Sequence, residues 1–119
     1  MNQKVKQQWI EALRSGEYSQ TQNQLKDHHG YCCLGVLCDL YSKVNEGSYW
    51  EDGGDLFRFE TNMGEYEFVR LPMSVSEWAG LDDDNPSVKY GGAIVAISDL
   101  NDNEQLTFDQ ISAIIEDQL

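Results

Sequence analysis

The chain has 119 residues, 40% of them hydrophobic, and sets 21 acidic residues against eight lysines and arginines for a formal charge of −13. That length accommodates one compact domain, residues 1–119, and excludes two; a balance this acidic argues against direct nucleic-acid binding, which needs basic residues to displace counterions. No stretch approaches the roughly 18 apolar residues of a membrane span, and the N-terminal residues have no apolar signal-peptide core. Three cysteines are an odd number for a disulfide scaffold, so the expectation is a soluble cytoplasmic protein with reduced thiols.

The charge is unevenly placed: residues 1–45 hold five basic residues against four acidic ones, and residues 46–119 hold three against 17. Such a surface is either a solubilising coat or a face that imitates nucleic acid toward a basic partner.

In chain order, Val5, Trp9, Ile10 and Leu13 form one stripe of a helix expected over Gln3–Ser15 and ended by Gly16. "EYSQTQNQLKDHHG" follows, polar and aperiodic, and a loop of this length is either functional or disordered. A second helix is expected over Cys32–Val44, then turn residues in "NEGSYWEDGGD". Period-two alternation at Leu56–Glu60 and Tyr66–Arg70, with Asn62 and Gly64 between, reads as a β-hairpin, joined by a short strand at Tyr49–Glu51. Pro72 opens a short helix, Met73–Ala79, that Gly80 closes. "LDDDNPSVKYGG" reads as an acidic loop, and "AIVAISDLND" as strand or helix, since short apolar runs do not distinguish the two. Thr107 and Gln110 make a capping box for a terminal helix with a stripe of Phe108, Ile111, Ile114 and Ile115. The fold class is α+β: four or five helices packed with a small antiparallel β-hairpin or three-stranded sheet.

Both histidines and all three cysteines fall in "HHGYCCLGVLC", residues 28–38. At about 100° per residue, a wheel places Cys33, Val36, Leu37, Leu40, Tyr41 and Val44 on the buried side, Gly35, Asp39, Ser42 and Lys43 opposite, Cys38 at the flank and Cys32 near the polar face. Thiols on divergent bearings do not close around one metal ion, so no metal and no cofactor are expected. Cys32, in the first turn beside His28 and His29, is the one candidate nucleophile. The same helix start, with free N–H groups from Tyr31 to Leu34, suits a phosphate or carboxylate, capped otherwise by Asp27 or water. Gly35 inside the helix signals a close approach of another chain segment or of a ligand.

"DLNDNEQLTFDQ", residues 99–110, overlays a calcium-loop template, but Glu104 stands where glycine is needed and Gln110 where a bidentate glutamate is needed. Asp82, Asp83 and Asp84 read as a solvated loop. No GxGxxG, P-loop, GxSxG or HExxH motif occurs, so no enzymatic activity is expected; a Cys32-dependent hydrolase is the alternative.

At "WIEALRSGEYSQ", "GYCCLGVLCDLY", "LPMSVSEWAGLDDDNPSV" and "LNDNEQLTFDQISAIIEDQL" the sequence resembles a family of small proteins of tailed phages and prophages. Its members share a W-x-x-A-L-R-S-G-x-Y start, a Y-C-C-L-G-V-L-C-D block and an L-N-D ending. Thr21 and Asn23 depart from glycines usual in the loop, and Ser112 from a frequent alanine. The resemblance implies a phage protein in the host cytoplasm and brings no activity. In that context the leading expectation is a counter-defence protein that sequesters a small anionic, nucleotide-derived immune signal. Trp9, Tyr18 or Tyr31 would stack a base, Arg14 and Lys26 would meet phosphate, and Gln20, His28, His29 and Cys32 would complete the site at the second helix's start. A homo-oligomer is expected, because such pockets form between copies. The alternative is an acidic, DNA-mimic-like inhibitor of a basic host protein.

Overall fold

The first apolar stripe forms the helix its spacing predicts. In the computed structural model, which describes residues 1–119, α1 spans Gln3–Arg14 and buries Val5, Trp9, Ile10 and Leu13 against α5 and α2. Asn2 caps it, accepting the Val5 N–H at 3.0 Å.

Helix α2, Cys33–Val44, is buried nearly all round its first two turns, including Leu34, Gly35 and Cys38. The wheel reading is corrected at two places: loop 17–31 covers Gly35, assigned to solvent, and Val44, assigned to the core, is 66% exposed, while Lys43 is exposed as assigned.

Three strands follow, β1 (Tyr49–Asp52), β2 (Phe57–Glu60) and β3 (Tyr66–Glu67), antiparallel in the order β1-β2-β3 with Trp50 opposite Phe59 and Glu60 opposite Tyr66. Phe57 and Phe59 point inward and Arg58 and Glu60 outward, as alternation requires. The third strand is shorter than the pattern predicts because Phe68 gives its carbonyl to the Leu25 N–H, at 2.8 Å, instead of extending the sheet.

Helix α3 is Met73–Ala79, ended by Gly80 in the left-handed region at φ 69°. The acidic loop is briefer than expected. Ser87–Tyr90 forms β4, which pairs with β5, Ala93–Ala96, across a Gly91–Gly92 turn whose φ values of 59° and 82° need glycine. Only Val88 of β4 is buried, too little pattern to reveal a strand. "AIVAISDLND" is both of its readings in succession, β5 and then α4, Ile97–Asp102. Helix α5, Phe108–Gln118, starts at the expected capping box: Thr107 Oγ1 accepts the Gln110 N–H at 3.2 Å and Gln110 Oε1 accepts the Thr107 N–H at 2.9 Å.

All five helices, with Phe59 of β2 and Val88 of β4, share one core. The fold is α+β, with five helices and two small antiparallel sheets. No helix is long and apolar enough to cross a membrane.

Candidate functional site

Loop 17–31 is tied down at three places. Near its start, the Gln20 amide donates to Asn101 Oδ1 and to the Leu106 carbonyl, both at 2.8 Å, while fully buried Asn101 donates to the Thr21 carbonyl at 2.8 Å. In its middle, Leu25 is fully buried and bonded to Phe68. At its end, Asp27 accepts from the Thr21 hydroxyl and from the N–H groups of His29 and Gly30. Burial raises the Asp27 pKa, but those three donors outweigh it and leave the carboxyl below its ordinary range.

This loop closes the helix start that the sequence reading left open. The Tyr31 N–H bonds to the Ser19 carbonyl at 2.8 Å, the Cys32 N–H to the Leu25 carbonyl at 3.0 Å, and Cys33 and Leu34 are fully buried. Cys32, and not Asp27, is the cap, its sulfur accepting the Gly35 N–H at 3.4 Å. The close approach signalled by Gly35 is the loop itself: a Cβ there would overlap the Leu25 carbonyl, and one on Gly30 the Ser19 carbonyl. The N–H groups of this helix start are therefore either bonded within the protein or carried on residues buried under the loop.

Cys32 also fails as a nucleophile. It is buried, not near a polar face, and burial pushes its thiol up to about 12, against 9.0 ordinarily. Cys33 and Cys38 are wholly buried and pushed well up by the same cause. At neutral pH none is a thiolate. No group of three or more His, Cys, Asp or Glu side chains is arranged to hold a metal ion. The calcium template begins inside α4, where Asp99 to Asp102 are helical, and Asn103 Nδ2 is bonded to Asp99 Oδ1 at 2.8 Å.

The candidate ligand residues separate into two sets. Trp9 is fully buried and donates its indole N–H to the Cys33 carbonyl at 2.9 Å, so it offers no stacking face. Arg14 reaches α5, bonding Ser112 Oγ at 2.8 Å and pairing with Glu116 at 3.5 Å. Gln20 is committed to Asn101, and Cys32 to its cap. His29 is exposed with only its backbone engaged.

Tyr18, Lys26, His28 and Tyr31, by contrast, come together. Tyr18 meets Tyr31 edge-on at 5.0 Å and Tyr31 meets Trp50 at 5.8 Å. Lys26 Nζ lies 4.2 Å from the Tyr31 ring centroid and 5.1 Å from that of Phe57, which His28 also touches edge-on. Beneath them Asp39 accepts from the Tyr18 hydroxyl at 2.6 Å and the Trp50 indole N–H at 3.1 Å, and pairs with Lys43 at 3.7 Å. Burial first, then the Asp39 carboxylate, raises the Tyr18 pKa, so its hydroxyl keeps the proton it donates. Asp39, Lys43, Trp50 and Phe57 were not among the sequence candidates; the helical wheel gave Asp39 and Lys43 only a polar face.

A second feature lies on the acidic half. A groove of about 590 Å³ is lined by Leu71, Met73, Ser76 and Leu81 together with five carboxylates, Glu67, Glu77, Asp82, Asp83 and Asp84. Met73 is 67% exposed in it. Arg70, 3.7 Å from both Glu67 and Asp84, is the one cation paired with the rim. The Leu71 N–H bonds to the Asp84 carbonyl at 3.0 Å and fixes the acidic loop against the entry to α3. The three adjacent aspartates were visible in the sequence as a charge run; the apolar side chains that join them to Glu67 and Glu77 were not.

The whole chain, residues 1–119, matches the family described as a domain of unknown function, DUF8296, and belongs to it. No curated protein and no solved structure matches the chain.

Proposed function

We propose that this member of DUF8296 is a binding protein that uses its acidic groove to occupy a basic, partly apolar segment of a host protein, in the counter-defence setting that its resemblance to phage proteins suggests. The observation that carries the reading is the groove's composition: five carboxylates around the exposed Met73 and the half-buried Leu81, in a half of the chain with 17 acids and three bases. Apolar contacts there would supply affinity through buried area, and the carboxylates would steer a cationic partner and reject acidic ones. Lysine- and arginine-rich surfaces that bind nucleic acid have the chemistry this groove complements.

Sequestration of a small anion at the start of α2 has less support, because its residues are split between core, α5 and loop contacts. The homo-oligomer expected with it supplied a pocket between copies; the groove lies within one copy and needs no second.

The test is a pull-down from host lysate with the chain and with a Glu77→Gln, Asp82→Asn, Asp83→Asn variant, which keeps the Asp83 acceptor for the Asn85 N–H. The reading expects a basic protein retained at low salt, released as salt rises, and lost with the variant. Retention equal for both would remove the groove from the account.

A further inference from the structure

The Lys26 ammonium is a group without a partner. It is held over two aromatic rings, half-buried, yet it forms no ion pair and donates no hydrogen bond within the protein. Cation–π attraction is weak at such partly exposed sites and leaves all three N–H donors unspent.

Asp27, Asp39 and Asp52 are already engaged. Asp27 accepts three hydrogen bonds, Asp39 accepts two and pairs with Lys43, and Asp52 faces His28 at 3.6 Å. Lys43 compensates Asp39, which lowers the repulsion of that carboxylate toward an incoming anion. Around Lys26 the half-exposed rings of Tyr18, Tyr31 and Trp50 supply π surface, and Asp39 fixes the first and last of them. Because Gly30 and Gly35 let the loop backbone pack directly on its neighbours, little ordering is needed when a ligand arrives.

We propose that Lys26, Tyr31 and Trp50 form a binding platform for a small ligand with a planar aromatic part and an anionic group, of which a nucleoside monophosphate is the chemical type. The anion meets the Lys26 ammonium and the planar part lies against the rings. The platform shares no residue with the acidic groove, and the inference does not depend on the groove having a partner.

The probe is AMP, followed by backbone and indole amide NMR shifts at about 150 mM salt, where a Debye length of about 8 Å screens the distant acids. On an open surface the expected dissociation constant is on the order of 100 μM. Saturable shifts are expected at residues 26–31 and at the Trp50 indole N–H, with adenosine and inorganic phosphate each at least tenfold weaker. Lys26→Met, which keeps the stem over the rings, weakens AMP at least tenfold while leaving the rest of the spectrum in place. Shifts that do not saturate at millimolar AMP, that fall elsewhere, or that survive Lys26→Met overturn the proposal.

Discussion

The carbonyl of Leu25 accepts the Cys32 N–H at 3.0 Å while lying against the α-carbon of Gly35, so one loop residue both holds the cap residue of α2 and occupies the space a side chain at 35 would take. Alanine is the better helix former by about 1 kcal/mol, which would favour Gly35→Ala on an isolated helix. Here the added methyl must displace backbone, and overpacking of that kind costs about 1–3 kcal/mol or more. Gly35→Ala is expected to lower stability by about 2 kcal/mol, read as a fall in denaturation midpoint with an unchanged m-value. A stabilised variant would mean that the loop does not rest on α2 as described.

Asn101 is fully buried and bonds Gln20, Thr21 and Asp102, linking the loop to the last turn of α4. Asn101→Ala strands the Thr21 carbonyl and one hydrogen of the Gln20 amide, at a cost of about 3 kcal/mol. Hydrogen exchange should rise first in residues 19–25, ahead of α5. Uniform acceleration across the chain would assign Asn101 to global stability instead of loop anchoring.

Cys32, Cys33 and Cys38, and the phenols Tyr18 and Tyr31, all have pKa values raised by burial in the folded state. Groups of this kind contribute stability that is complete below their unfolded pKa and lost as pH rises above it, because the unfolded chain then releases protons the folded chain retains. For thiols with an ordinary value of 9.0, denaturation free energy should hold level up to that pH as far as these groups are concerned, then fall by up to about 1.4 kcal/mol per pH unit for each thiol. Denaturant titrations from pH 7 to pH 11 measure this. Rapid labelling of any thiol by a disulfide reagent in the native state at neutral pH would contradict the burial on which it rests.

What was legible in the sequence was whatever short-range periodicity records. The stripe Val5–Trp9–Leu13, the Thr107–Gln110 box and the Phe57–Phe59 alternation each encode a local geometry, and each is where its spacing puts it. Loop 17–31 has no period, and its path depends on bonds to Phe68, Asn101 and Leu106, residues far along the chain. That is why α2 looked half-exposed on the wheel and its start looked open. Gly35 alone carried a trace of the covering loop, as a glycine where a helix would prefer alanine. The candidate site divides in the same way: Lys26, His28 and Tyr31 were readable as neighbours in sequence, whereas the meeting of Lys26 and His28 with Phe57 and of Tyr31 with Trp50 is tertiary. The acidic groove likewise joins Glu67 and Glu77 to the visible run Asp82–Asp84 only through folding.

The most direct test of the central claim, that the groove receives a basic and partly apolar protein segment, is an amide NMR titration with an arginine-rich amphipathic peptide at low and at moderate salt. The account predicts saturable shifts concentrated at Glu67, Leu71, Met73, Ser76, Glu77 and residues 81–84, weakened by salt and by the Glu77→Gln, Asp82→Asn, Asp83→Asn variant. Shifts spread evenly over all acidic surfaces, or centred away from these residues, would contradict it.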